Sequence, residues 1–278
     1  MLTMIPTLIR ISAAVLLFFM LTSALPSENA RAAYRQEAAA PSAVGWTPGV
    51  AAARRYARRR AGAVSFSTIG LDRRHRGLRA RRSAPMASVF KVMLLAAYLR
   101  RPSVSHRRLH RADRALLAPM IRSSNNVAAT RVRDIVGVGA IRRLARRAHM
   151  RRFRYHPVWG LSRSSPRDQS RFMLRLDRFI PARHRGYARR QLARIVRSQR
   201  WGIGRLRLPG WRVYFKGGWG SGTGAVDHQV AFLESGRGRI ALAIFTQGNP
   251  SHGYGKRTLR GVAARLLRGL PRARGVHR

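Results

Sequence analysis

The sequence predicts an α+β fold: an antiparallel five-stranded sheet flanked by the terminal helices, with an all-helical lobe inserted in the middle. Three observations predict it. Runs rich in β-formers occur as two early segments, 61–71 and a short one near 77–82, and three late ones, 211–217, 225–233 and 239–245. Helical patterns fill the stretch between them, from residue 102 to about 180. Further helices are expected at 48–60 and at about 254–267. Strands grouped towards the two ends of a chain, rather than alternating with helices, build an antiparallel sheet with its helices segregated.

Taken in order, residues 1–32 read as an export signal. Arg10 and the amino terminus supply the positive region, 11–25 the short apolar region, and Ala30-Arg31-Ala32 an A-x-A cleavage site. The expected location is therefore extracytoplasmic, with cleavage after Ala32; an uncleaved membrane anchor is the alternative. A small, polar linker is expected at 33–45, a folded domain at 46–270 with its helical lobe at about 102–200, and a basic tail at 271–278. The first strand ends at Asp72, and a turn through Arg73, His75 and Gly77 leads to the second. From Val89 to Leu99 the chain is apolar at every position except Lys91. A helix that is hydrophobic all round lies inside a protein, and this one is too short to span a bilayer. Pro85 and Ser88 supply its start signals. Helices follow at 112–121, 126–136, 140–149 and 167–179, the last behind Ser164-Ser165-Pro166 with Asp168 in its first turn.

Composition narrows the chemistry. There are no cysteines among the 278 residues, which excludes disulfides, thiolate metal sites and cysteine nucleophiles. The nine histidines show no HExxH or H-x-H spacing, so neither a metal nor another cofactor is expected. A net charge of +48 suggests an anionic partner, but the arginines run along the whole chain instead of gathering in one arm. With 45% hydrophobic residues the chain has the apolar content of a folded protein. Adhesion to anionic cell-wall polymers or membrane surfaces is expected from that charge, without specific nucleic-acid recognition.

Three polar clusters stand out. Ser88 and Lys91 lie three apart on one helical face. A lysine in so apolar a run either snorkels to the surface or serves as a deprotonatable amine. Among 57 basic residues only Lys91, Lys216 and Lys256 are lysine, which favours the second reading, because arginine stays protonated. Ser124-Asn125-Asn126 sits at a junction of two helices, where capping alone would account for it. Lys216-Gly217-Gly218 ends a strand.

In this order and on these elements, Ser88-Val89-Phe90-Lys91, Ser124-Asn125-Asn126 and Lys216-Gly217-Gly218 resemble the penicillin-recognising serine hydrolases, in particular the class A β-lactamase-like branch with its S-x-x-K, S-D-N and K-T-G motifs. The resemblance runs from about Trp46 to Leu267 and implies a β-lactamase/transpeptidase-like fold. It implies that Ser88 is acylated by a β-lactam or by a peptidoglycan-type, D-Ala-like acyl substrate, with Lys91 as the base. Ser124 would relay a proton to the leaving nitrogen, Asn126 would hold the junction or contact substrate, and Lys216, Gly217 and Gly218 would line the substrate site. The oxyanion hole would be the backbone N–H groups of Ser88 and Trp219. A neutral Lys91 near pH 7 needs a depressed pKa, and burial, the helix N-terminus and Lys216 would all push it down.

The chain also departs from that pattern. Asn125 stands where the family has aspartate, and Gly217 where it has a hydroxyl residue, with Ser221 or Thr223 as candidate substitutes. No glutamate occurs between Glu37 and Glu234, and the segment 153–160, where the deacylating acid belongs, has no carboxylate. His156 is a candidate stand-in base, His228 a candidate for the cleft, and Asp168 a helix-capping residue. Acylation with slow hydrolysis is therefore expected. A catalytically weak or inactive cell-wall binder and a cationic binder of anionic polymers are the competing readings.

Overall fold

A computed structural model describes residues 46–272. The export signal, the linker and the end of the basic tail lie outside the described residues. The chain forms α1 (Val50–Arg58), β1 (Ala63–Ile69), β2 (His75–Leu78) and the two-residue β3 (Ala84–Pro85). A 3₁₀ turn (Ala87–Phe90) then runs directly into α2 (Lys91–Leu99). The helical lobe contains α3 (Pro102–Ser105), α4 (Arg111–Arg122) and α5 (Asn126–Arg147), followed by β4 (Arg163–Ser164), α6 (Pro166–Leu174) and α7 (Ala182–Ala193). The chain ends with β5 (Arg212–Gly220), β6 (Val226–Ser235), β7 (Gly238–Gln247) and α8 (His252–Leu266).

The five long strands form one sheet in the order β2-β1-β7-β6-β5, every neighbour antiparallel. The α+β architecture expected from the sequence is the one observed. Its organising pair is β1 with β7, from Ala63 opposite Gln247 to Ile69 opposite Ala241. That pairing brings the two ends of the domain together, so α1 and α8 pack side by side. The Trp46 indole N–H donates to the Arg268 carbonyl at 3.0 Å and the Trp211 indole to the Pro271 carbonyl at 2.9 Å, which fastens the closure. Edge strand β5 carries Lys216 and lies four strands from the opposite edge, β2.

All nine residues of α2 are buried, Lys91 among them, so the snorkelling alternative is excluded. The second strand lies at 75–78, earlier than expected, and Arg79 leaves it at φ 45°. Helix α7 went unpredicted because its sequence, ARHRGYARRQLA, buries mainly Tyr187, Ala188 and Leu192 among arginines. The two helices expected at 126–136 and 140–149 are a single run broken at Gly137 (φ 72°, ψ 153°), a conformation essentially confined to glycine. A Cβ at Gly137 meets no atom within 4 Å, so any penalty for a side chain there is purely conformational. Among the described residues no helix is long and apolar enough to cross a membrane.

Gly137→Ala is expected to lower stability by about 1–3 kcal/mol, the cost of that backbone region for a residue with a Cβ. Gly139→Ala, in the helix beyond the break and touching only the flexible end of Arg143, is expected to raise it by roughly 0.5–1 kcal/mol. Urea unfolding of the pair checks both, and equal effects would refute the assigned break.

Candidate active site

The 3₁₀ turn begins with a strained residue: Ala87 has φ 44°. In such a turn side chains at i and i+3 eclipse, so Ser88 stands over Lys91 at the start of α2. Ser88 keeps 8% of its surface exposed, whereas Lys91 keeps none. The first N–H groups of a helical turn have no partner within it, which leaves the Ser88 amide free to donate. Gly218 of β5 presses against this backbone. A Cβ at Gly218 would lie 2.8 Å from the nitrogens of both Ser88 and Val89, so only glycine lets the strand carrying Trp219 approach the turn so closely.

The second cluster projects between α4 and α5. Asn125 caps α5, its side chain accepting the Ala128 N–H at 2.8 Å, so the capping reading holds for this member. Its neighbours turn inward. Lys91 Nζ donates to the backbone oxygen of Ser124, to Ser124 Oγ at 3.1 Å and to Asn126 Oδ1 at 2.8 Å. Ser124 holds a left-handed backbone, φ 60°, to present both oxygens. From the opposite side Lys216 Nζ donates to the same Ser124 Oγ at 3.0 Å and to the Gly217 carbonyl at 2.7 Å. One hydroxyl thus receives N–H groups from two buried lysines. Its two lone pairs are occupied, and its own O–H proton is left to point elsewhere.

No carboxylate balances these amines. Each acid among the described residues is bound to arginine or histidine away from Lys91 and Lys216. Burial alone pulls the Lys91 pKa down to about 7, and Lys216, wholly enclosed, is pushed well below its ordinary value by burial and by the charge of Lys91.

The segment 153–160 supplies an aromatic wall in place of an acid. The Trp159 ring centroid lies 5.0 Å from Lys91 Nζ. Trp159 is fixed by its indole N–H to Thr130 Oγ1 at 3.1 Å and by stacking on Phe90. His156 is exposed, and its Nδ1 accepts the Val158 N–H within its own loop. His228 is buried, bonded through Nε2 to the Pro85 carbonyl and through Nδ1 to the Thr246 N–H, and burial lowers its pKa to about 4. It ties β6 to the segment before Ser88. Asp168, in the first turn of α6, accepts the Arg152 N–H and pairs with Arg171, while Ser165 supplies the cap.

Trp201 explains the glycine at position 217. A Cβ there would lie 2.6 Å from the Trp201 ring, so the indole occupies the room a threonine side chain would need. Thr223 turns back on the Gly220 carbonyl. Ser221 lines a cavity of about 230 Å³ together with Trp219, Asp227 and His252. Sequence reasoning missed Trp159, Trp201 and the pairing of the Trp219 ring with His252, because isolated aromatics follow no period. The one available signal was that a tryptophan directly follows Lys216-Gly217-Gly218.

This geometry and the fold agree with what the chain is similar to. The sequence model of the β-lactamase enzyme family matches residues 112–270, a span that includes Ser124, Asn126 and Lys216 and begins after Lys91. The chain belongs to that family and is a hydrolase of the β-lactamase class. No curated protein matches the sequence. Among solved structures, the β-lactamase of Sphaerobacter thermophilus superposes with a TM-score of 0.67 at 21% identity, over 79% of this chain and 95% of that one. The β-lactamase of Desulfarculus baarsii gives 0.63 at 24% identity, over 78% and 98%. An ancestral class A β-lactamase gives 0.66 at 19% identity, over 77% and 96%, so this chain is a divergent member.

The depressed Lys91 pKa has a sign that can be measured. Between about pH 7 and the ordinary value of 10.5, the unfolded chain holds a proton that the folded chain has lost. Stability therefore rises with pH across that window and gains nothing below it. Relative to Lys91→Met, the wild type is expected to gain about 3–4 kcal/mol between pH 7 and 10 in urea unfolding. Parallel curves would show that Lys91 titrates in water.

Proposed function

We propose that this chain is an exported serine hydrolase, acylated at Ser88 by β-lactams or peptidoglycan-type D-Ala acyl substrates, which it releases slowly. The observation that carries the proposal is the convergence of two buried, carboxylate-free lysines on Ser124 Oγ, with Ser88 standing over one of them. Neutral Lys91 takes the proton as Ser88 Oγ attacks the substrate carbonyl. The oxyanion forms between the N–H groups of Ser88 and Trp219. Ser124, already accepting from both lysines, directs its own proton to the leaving nitrogen and is reprotonated from Lys91, which completes the transfer. Lys216 holds Ser124, and Asn126 accepts a hydrogen bond from Lys91 Nζ.

Release of the acyl group needs a base for water, and the wall beside Lys91 offers only Trp159. Hydrolysis is slow for that reason. Export rests on the leader pattern of residues 1–32.

Intact-protein mass spectrometry with a penicillin is expected to show one adduct, on Ser88, that persists after free drug is removed. Ser88→Ala is expected to show none, and Lys91→Met to form it about 10²–10⁴-fold more slowly. The acylation rate should climb as pH passes through about 7. An adduct that clears within a few turnovers would overturn slow release, and labelling that survives Ser88→Ala would overturn the nucleophile.

A further inference from the structure

A second feature lies at the other edge of the sheet, independent of the acylation chemistry. Three cavities run together there, and none is lined by Ser88, Lys91, Ser124 or Lys216. The first, about 350 Å³, opens at the start of α6 between Arg81, Arg151 and Arg167. The second, about 390 Å³, lies between α1 and β2 and shares Arg167 with the first. The third, about 570 Å³, lies towards the end of α6 with Arg73, Arg175 and Arg178, sharing Arg171 with the first and His75 with the second. Through these shared side chains the three cavities adjoin one another and form one arginine-lined surface region, the groove.

Its charge is one-sided. The two carboxylates that line it are already engaged, Asp168 by Arg171 and the Arg152 N–H, and Asp177 by Arg189 and Arg239. Arg73, Arg81, Arg151, Arg167, Arg175 and Arg178 have no acidic partner among the described residues, in contrast to Arg171 and Arg239. Two atoms on the shared walls, Arg171 Nε and His75 Nδ1, are buried with no hydrogen-bond partner among the described residues. His75 registers the field: burial, and then the charges of Arg167, Arg171 and Arg175, bring its pKa down to about 4.

We propose that this groove binds a linear phosphate polyanion, gripping successive phosphates with its unpaired guanidiniums. Planar guanidinium forks match phosphate oxygens, and three adjoining cavities suit a chain better than a single ion. No phenylalanine, tyrosine or tryptophan lines any of the three cavities, and His75 is the single aromatic ring there, so the walls offer guanidiniums far more than stacking platforms for nucleobases. The favoured occupant is therefore a phosphate chain recognised through its backbone charge.

Because arginine is abundant everywhere in this chain, the test must separate position from charge count. End-labelled inorganic polyphosphate is titrated into the full-length protein near 0.15 M salt. Arg81→Gln/Arg167→Gln/Arg175→Gln is expected to weaken binding about tenfold or more and to reduce the log–log salt slope by roughly 2–3, one phosphate contact per arginine. The charge-matched control Arg131→Gln/Arg190→Gln/Arg260→Gln, on α5, α7 and α8, is expected to lose no more than about threefold, as a distant charge does. Near-UV circular dichroism and the urea midpoint confirm that both variants fold. Equal losses in the two variants would overturn the groove in favour of diffuse attraction. So would equal affinity for polyglutamate, or tighter binding of single-stranded DNA of matched charge, which would require base contacts.

Discussion

The site depends on a buried amine with no acid beside it. Taking an ammonium out of water is unfavourable by several kcal/mol unless a counter-charge or hydrogen bonds compensate. Lys91 is wholly buried, and its hydrogen bonds go to neutral oxygens of Ser124 and Asn126. Much of the local architecture follows from that requirement. Ser124 takes a left-handed backbone to offer two acceptors, Asn125 caps α5 so that Ser124 and Asn126 face inward, and Gly218 lets β5 bring Lys216 to the same hydroxyl. Polar atoms are placed here to stabilise an amine that is easily emptied of its proton.

The surroundings keep it so. Lysine is confined to three positions in a chain dominated by arginine, and two of the three meet at Ser124. Arginine in either place would remain charged and would need an acid, and acids are scarce. The seven within the described residues are bound to arginine or histidine, such as Asp177 and Glu234 bridged by Arg189 and Arg239.

The fold was largely legible because its signals are periodic or conformationally exclusive. The all-apolar run at 89–99 announced a buried helix, and the break at Gly137 was visible as two helical patterns where the chain is continuous. Helix α7 and the two-residue strands β3 and β4 were hidden, the first by arginines on most of its turns and the others by being too short to show alternation. Within the site, Ser88 and Lys91 could be named from spacing and from the rarity of lysine, and Ser124, Asn126 and Lys216 from the family resemblance that the three motifs carry together. Trp159 over Lys91 and Trp201 against Gly217 could not, because each contact joins loop residues to positions far along the chain. A glycine in place of a hydroxyl residue reads in sequence as a loss. In three dimensions it is room taken by an indole.

The pairing of β1 with β7 bears on how the molecule comes into being. Ala63 finds its neighbour only at Gln247, so the middle of the sheet cannot assemble until nearly all of the chain has been made. Contacts so distant in sequence slow folding, since a long loop must close before they contribute. The last strand to emerge acts as the latch that commits the earlier ones to their places.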